Sequence, residues 1–350
     1  MSKININIFE DDTLISEEIS QVKTSKKIEY IEINNAYVVI ENENTIVYTN
    51  DIVNQNDISY IKFRPKKYMD DKNNFNKSIE IEKCILLNTY FPNIFYHWIY
   101  DIIPQLIIND ISENTICITL PLKFSFQIDS LRYFAPNSKI YSDEGIYKIN
   151  KLLISYPTTS LLMPKEFVFD FFRKKESFTN NLYSNIYISR KKGFKRRILN
   201  ESSLIKYLKS IDFKVYALED ITFTEQINIF KSAKFIISAH GSGLTNIIFS
   251  SPLCNIIEIY GPGCGERCFA KIAHKLGINY SALKIKDLAY VNIFEKIFYE
   301  FFPNKNPYHF RINISLLQNF MQSNGFSEKS YVLTLQSSQM RRMMLYSALR

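Results

Sequence analysis

Residues 234–258 read KFIISAHGSGLTNIIFSSPLCNIIE, and the fold turns on how that stretch is taken. KFIISA is short, apolar and rich in β-branched residues, the composition of a buried parallel strand. It runs directly into His240-Gly241-Ser242-Gly243, after which Leu244 opens a segment that can wind as a helix to Phe249. A strand, a glycine turn and a helix start bring free backbone N–H groups and the positive helix end to one point, which suits phosphate or another anion. A second buried-type strand, 255–260, follows and carries a single acidic residue, Glu258. The local reading is an α/β nucleotide or phosphate site with His240 at its lip.

At 350 residues the chain is long for one domain, and two are expected. Hydrophobic residues make up 46% and aromatics 15%, which excludes a disordered chain. The net charge of +8 favours acidic partners: nucleotides, anionic glycans, membrane surfaces or nucleic acid. Among the five cysteines only Cys264 and Cys268 are close in sequence, with no histidine pair beside them, a poor zinc signature. The expectation is reduced thiols in a cytoplasmic protein, with no bound metal and no cofactor. The opening MSKININIFEDD has no long apolar core of a signal peptide, and the best apolar run is broken by His97, Asp101 and Pro104. A soluble or membrane-peripheral protein is therefore expected.

Along the chain, EYIEI, AYVVI and TIVYT alternate as strands within 29–49, with ENEN at 41–44 as a hairpin turn. The polar run 65–80 reads as a solvated loop, Asp70 and Asp71 included. From residue 84 the pattern becomes strand, helix, strand, with helices expected over 93–109, SFQIDSLRYF and 164–175. Residues 174–184 read as a linker. The second half repeats the alternation: NIYIS, a helix capped by Asn200, FKVYAL, and a helix opened by the capping box Thr222–Glu225. The glycine loop, NIIEIY, a helix over 268–276 and NYSALKI complete it. This alternation implies two successive Rossmann-like, doubly wound α/β domains facing a cleft. The boundaries expected are 1–176 for an acceptor-side domain, 177–290 for a donor-binding domain, and 291–350 for a tail. That tail is densely aromatic, ends in the basic RRMMLYSALR, and is expected to pack back on the N-terminal half or to lie near a membrane surface.

Two constellations carry chemistry. In NIFYHWIYDIIPQLII, Asn93, His97, Asp101 and Gln105 recur every fourth residue and form one polar stripe on an apolar helix. One reading makes His97 a general base oriented by Asp101; the other makes the stripe a satisfied buried hydrogen-bond network. Pro104 should kink or end that helix. In SRKKGFKRRILNE, Arg190 comes directly after a strand, and Arg196 and Arg197 lie just before the next helix. Guanidinium forks there suit a diphosphate; a solvated basic loop is the alternative. Ser242 lacks the glycine two residues before it that a nucleophile elbow needs, and the loop matches neither a P-loop nor a dinucleotide fingerprint.

The ordered series SRKKGFKRRILNE, LEDITFTEQINIFKSAKFIISAHGSGLTNIIFS and NIIEIYGPG, with NIFYHWIYDIIPQL upstream, resembles glycosyltransferase family 61 over about residues 84–262. The resemblance implies a two-Rossmann GT-B arrangement and metal-independent, inverting transfer from a nucleotide sugar, most simply a UDP-sugar. It implies that Arg190 and Arg197 hold the donor diphosphate and that His240, Gly241, Ser242, Gly243, Leu244 and Asn246 form the loop facing it. Glu219 and Glu258 would contact or order the nucleotide side. His97 and Asp101, with Asn93 beside them, would sit across the cleft as acid–base candidates on the acceptor side. Ser242 stands where the family commonly has alanine. The expected product is a surface polysaccharide or glycolipid of the bacterial capsule or lipopolysaccharide kind, made on the cytoplasmic side with possible contact to the inner membrane surface. The rival readings are a non-sugar group transferase acting on glycans, an inactive nucleotide-binding scaffold, and a basic nucleic-acid-binding protein. The last lacks a clustered basic helix or a recognised motif.

Overall fold

The computed structural model describes residues 2–326 apart from 11–12, 22–25, 52, 54–57, 59–60, 70–77, 109–114, 161, 176–181, 194 and 304–306. In chain order its first strands are β1 (Ser2–Glu10), β2 (Thr13–Gln21), β3 (Tyr30–Glu41), β4 (Asn44–Tyr48) and β5 (Lys62–Arg64). Then come β6 (Ile79–Leu87), β7 (Ile116–Thr119), β8 (Lys139–Tyr141), β9 (Gly145–Ser155) and the short hairpin β10 (Thr159–Ser160) and β11 (Met163–Pro164). The second half adds β12 (Ser184–Ile188), β13 (Phe213–Tyr216), β14 (Ala233–Ala239), β15 (Asn255–Tyr260) and β16 (Asn279–Lys284).

Two seven-stranded sheets result. One has the order β13-β12-β14-β15-β16-β1-β2, parallel throughout except for β2 at its edge. Its β12–β16 portion is doubly wound, as the alternation predicts. The other has the order β5-β4-β3-β9-β6-β7-β8 and is mixed: β9, β6, β7 and β8 are parallel, whereas β3 runs antiparallel to both β4 and β9. The largely parallel sheet expected from residue 84 onward is present, and the strands of 29–49 join it antiparallel to make it mixed. The hairpin at 41–44 is the reason: Asn42 and Glu43 both take positive φ (48° and 61°), the two-residue turn that returns a strand antiparallel.

Helices fill the space between the sheets. A continuous helical run, α1, starts as one α turn (Phe95–His97), passes through a π turn (Trp98–Ile102) and ends as a 3-10 turn (Ile103–Ile108). Pro104 explains the irregularity. It cannot donate to the carbonyl of Tyr100, and that carbonyl accepts from the Thr158 hydroxyl instead, at 2.6 Å. Helices α2 (Ser125–Phe134) and α3 (Glu166–Lys175) join α1 on the first sheet. Helix α5 (Phe223–Lys231), the 3-10 helix Ser242–Phe249 and α6 (Cys268–Leu276) cover the facing side of the second sheet, and α4 (Glu201–Ser210) its far side. One apolar cluster runs unbroken from Ile85 and Leu153 through Trp98, Tyr100 and Phe172 to Phe249, Ile236 and Ile256. The Tyr100 hydroxyl donates across it to the Thr245 carbonyl at 2.8 Å.

Two placements differ from the expected boundaries. Strands β1 and β2 extend the second sheet rather than the first, with β1 parallel to β16. After helix α7 (Ile293–Phe301), residues 310–326 pack on the second sheet and not on the N-terminal half. Phe310, Ile312 and Leu317 of this segment share a core with α4, and α8 (Ile314–Ser323) lies there. Asn200 contributes to this change. Its side chain does not cap α4 but clasps the backbone of Ile312 through both its amide atoms, at 2.8 and 2.9 Å. The terminal RRMMLYSALR, the Asp70-Asp71 loop and most of the expected linker lie outside the described residues.

Candidate functional site

The second sheet reverses its strand order between β12 and β14, which leaves a crevice at their carboxyl ends. Arg190 leaves β12 there, and His240 and Gly241 leave β14. Glu201, the first residue of α4, fixes the exit from β12 by accepting from the Tyr187 hydroxyl (2.7 Å), the Ser189 hydroxyl (2.9 Å) and the Arg190 N–H (3.1 Å). The guanidinium of Arg190 then reaches Gly241 with its Nη1 end. A Cβ at position 241 would sit 1.4 Å from Nη1, so glycine is what lets the arginine come this close, and a larger residue would push the guanidinium aside. The torsion does not require glycine, since φ at Gly241 is 163°, ordinary extended backbone.

Arg190 Nη2 donates to the Lys195 carbonyl at 3.3 Å, whereas its Nε is buried with no partner among the described residues. Burial, and after it the neighbouring Arg196, pull the guanidinium pKa below its usual range, while Glu219 pushes back. A buried, charged donor without an acceptor is costly unless a ligand supplies one. Beside it opens a cleft of about 850 Å³. Arg190, Glu219, Ser242 and Gly243 line one wall, and Asn93, Phe95, Phe124, Phe126 and Asp129 the other. Ser242 and Gly243, whose N–H groups open the 3-10 helix Ser242–Phe249 ahead of the Leu244 N–H bond to the Gly241 carbonyl (3.0 Å), line this end of the cleft.

His240 is buried behind the loop. Its Nδ1 is hydrogen-bonded to Glu258, which has no exposed surface. The other Glu258 oxygen accepts from the Tyr280 hydroxyl at 2.5 Å, and Tyr280 meets Tyr260 at 2.7 Å. Glu258 is therefore too deep to touch a nucleotide. It orders the loop through His240, because position 258 of β15, in register with Ser238 and Ala282, points into the interior. Nε2 of His240 looks toward Cys264 and Glu266. These three ligand atoms lie within 4.8 Å of one another, the one cluster among the described residues with a metal-ligand set. Burial pushes the Cys264 thiol up to about 12, so a metal there would have to displace a tightly held proton. All five cysteines are free thiols.

The polar stripe of α1 forms a second histidine–carboxylate pair. His97 Nδ1 meets Asp101 Oδ2 at 2.7 Å. Asp101 also accepts from the hydroxyls of Thr89 (3.2 Å) and Thr159 (2.7 Å), and Gln105 donates to the Asp101 carbonyl at 2.6 Å. His97 is half-buried beside Phe91 and Tyr96. An aromatic chain links the two pairs: His97 to Tyr96 (5.3 Å), Tyr96 to Phe269 (5.9 Å), Phe269 to His240 (5.5 Å).

The structure thus brings together Arg190, Glu219, Ser242, Gly243 and Asn93 around one cleft, with Gly241 against Arg190; His97, Asp101 and His240 are not part of its lining. Leu244 and Asn246 are fully buried, and Asn246 donates to Gln226 at 2.9 Å, tying the loop to α5. Arg197 is exposed and its N–H donates to His309 Nδ1 at 3.1 Å. The cation that approaches Arg190 is Arg196. Sequence reasoning missed Glu201, Thr89, Thr159, Tyr280 and the Phe124–Phe126 wall. Only Glu201 carried a local signal, as an acid in the first turn of a helix beginning eleven residues after Arg190.

The sequence model of glycosyltransferase family 61 matches residues 95–257, a little under half of the chain. Among curated proteins, the EGF domain-specific O-linked N-acetylglucosamine transferase of Drosophila melanogaster is 31% identical over 108 residues, 30% of this chain and 20% of that protein. Xylan glycosyltransferase MUCI21 of Arabidopsis thaliana is 30% identical over 96 residues, 26% of this chain and 19% of its own length. The matched region covers about a fifth of the length of these relatives. Both are eukaryotic, so they give no support to the capsule or lipopolysaccharide branch.

Proposed function

We propose that this chain, whose residues 95–257 match glycosyltransferase family 61, is an inverting glycosyltransferase that takes its sugar from a nucleotide sugar. The observation that carries the reading is Arg190: a half-buried arginine whose Nε is buried without a partner among the described residues, set against a glycine at the strand-order reversal. A donor diphosphate supplies the acceptor atoms this group lacks. As the sugar–phosphate bond breaks, negative charge grows on the leaving diphosphate, and Arg190 with the N–H groups that open the 3-10 helix Ser242–Phe249 would stabilise it. Arg196 supplies a second positive charge. The opposite wall, with Asn93, Asp129 and the stacked rings of Phe124 and Phe126, fits the acceptor glycan.

Inversion needs a base that removes the acceptor hydroxyl proton while its oxygen attacks the anomeric carbon. His97 is the base in this reading, with Asp101 holding Nδ1 so that Nε2 is free to accept. A second reading gives the role to His240, because the Glu258 carboxylate holds it in the same way beside Gly241. The transfer needs no metal in our proposal, since cationic side chains stand at the diphosphate; activity should survive a chelator. A UDP-sugar is the donor and a surface glycan or glycolipid the acceptor we propose. The two relatives are named for EGF domains and xylan, which leaves acceptor class to assay.

The test measures transfer and nucleotide binding on the same variants. His97→Ala should abolish transfer and leave nucleotide binding close to wild type; Arg190→Ala should weaken both. Full transfer by His97→Ala, with loss in His240→Ala, would hand the base to His240. Absence of nucleotide binding by the folded wild-type chain would sink the transferase reading.

A further inference from the structure

We propose that α7 and the basic loop beside it form a docking surface for an anionic lipid bilayer. Helix α7 buries none of its residues. Phe294, Ile297, Phe298 and Phe301 recur at i, i+3, i+4 and i+7 and form one apolar stripe, flanked by exposed Val291 and Ile293. Phe294 is 80% and Phe301 78% exposed, and together with Ile297 and Phe298 they make one contiguous apolar stripe where scattered surface residues would not. The helix does not owe its form to packing: Asn292 caps it, accepting from the Glu295 N–H at 2.8 Å. Glu295, Lys296, Tyr299 and Glu300 occupy the remaining face.

What it stands beside decides the partner. The segment bearing α7 leaves and re-enters the body through a stem closed by the Ala289 N–H to His309 carbonyl bond at 2.7 Å. That stem is riveted to the loop after β12: the Arg196 N–H donates to the Pro307 carbonyl (2.7 Å), the Arg197 N–H to His309 Nδ1 (3.1 Å) and the Phe310 N–H to the Arg197 carbonyl (3.1 Å). Lys191, Lys195 and Arg197 of this loop are exposed. An aromatic ridge next to exposed cations is the chemistry of an interfacial membrane anchor, rings entering the headgroup region while lysine and arginine meet lipid phosphates. The ridge is a convex helix face, and such a face suits a fluid apolar layer.

Strands β12 and β16 are parallel within one sheet, so the basic loop and α7 leave the same edge, the edge at which the cleft opens. Docking would hold that mouth at the lipid surface. The inference does not depend on the donor reading, and its assay uses no nucleotide.

The test is co-sedimentation of the full chain with vesicles of phosphatidylcholine containing phosphatidylglycerol, and of phosphatidylcholine alone, at low and high salt. The mixed vesicles should bind the chain about tenfold or more better than phosphatidylcholine alone, with the difference shrinking in high salt. The double variant Phe294→Glu with Phe298→Glu should lose about tenfold or more of this binding while keeping the wild-type melting curve, since both side chains are exposed. Lys191→Glu should lose about fivefold or more. Failure to bind either vesicle, or binding that the double variant retains, overturns the proposal. So does a wild-type dimer in solution that the double variant splits without any vesicle binding, which would make the ridge a contact between copies.

Discussion

Arg190 and Gly241 test each other at the scale of single residues. Removing the guanidinium deletes a buried donor that lacks a partner, so Arg190→Ala should melt no lower than wild type without ligand. It should still lose about 1.5–3 kcal/mol of nucleotide binding, the size of a charge-assisted hydrogen bond. Gly241→Ala should copy that loss, because its methyl group would occupy the space of Nη1. Combining the two should add little, since both remove one contact; isothermal titration of the four proteins completes the cycle. Additive losses would mean that the glycine serves the ligand independently. Arg190 was legible in the sequence because NIYIS announces the strand that delivers it. The choice between Arg196 and Arg197 was not. The backbone at Arg196 takes a φ of 59°, and that single left-handed residue turns its side chain inward and the next one out. For Glu258 the expectation left two roles open, contacting or ordering the nucleotide side, and its place as the buried partner of His240 leaves only the ordering role. Breaking such a pair by Glu258→Ala should cost about 3–5 kcal/mol in a denaturation titration, far more than an exposed carboxylate would.

At the scale of elements, α1 shows what periodicity reads and what it leaves out. The fourfold spacing of His97, Asp101 and Gln105 was visible, and the structure puts them in contact despite the π and 3-10 turns. The threonines that clamp Asp101 come from β6's exit and the β10 hairpin, where no pattern within α1 points. Asp101→Asn should leave nucleotide affinity unchanged and lower turnover by about 100-fold or more, since the amide can present its N–H to Nδ1 and reverse the tautomer of His97. Equal turnover in the variant would reduce the stripe to the packing network that was its alternative reading. The stem beneath α7 carries a pH dependence. Burial, countered by Glu295 and reinforced by Arg197, lowers the pKa of His309, whose Nδ1 accepts the Arg197 N–H. The native state therefore prefers the neutral ring. Its contribution is fully present above the unfolded histidine value of about 6.5 and fades as pH falls below that, when the unfolded chain binds a proton the native chain resists. Hydrogen exchange should show the Arg197 amide opening more readily at acid pH, and His309→Gln should flatten that dependence.

The whole molecule couples what the sequence presents as two halves. Alternating strands and helices announced two layers facing a cleft, and both sheets exist. Chain order did not reveal that β1 and β2 would add to the far sheet, because pairing with β16 is a contact across most of the chain. Nor could it reveal that a single apolar cluster spans the helices of both halves. Such a core predicts one cooperative transition. Trp98, the chain's one tryptophan, is fully buried in α1 within this cluster and reports on it. Its fluorescence and the far-ultraviolet circular dichroism should therefore melt at the same temperature. A nucleotide present at about 100 times its dissociation constant should move both together by the equivalent of about 2.7 kcal/mol. The ligand would touch mainly the second half, so the tryptophan of the first half can follow only if the two unfold as one. If the dichroism shifts with nucleotide while the Trp98 transition stays in place, the halves are separable and the shared cluster is a docking contact between two domains. Tyr100→Phe then discriminates further: it removes the hydroxyl that bonds the Thr245 carbonyl across the cluster, at the cost of one hydrogen bond, about 0.5–1.5 kcal/mol. In a single cooperative unit that loss should lower both transitions equally. In a docked pair it should split them.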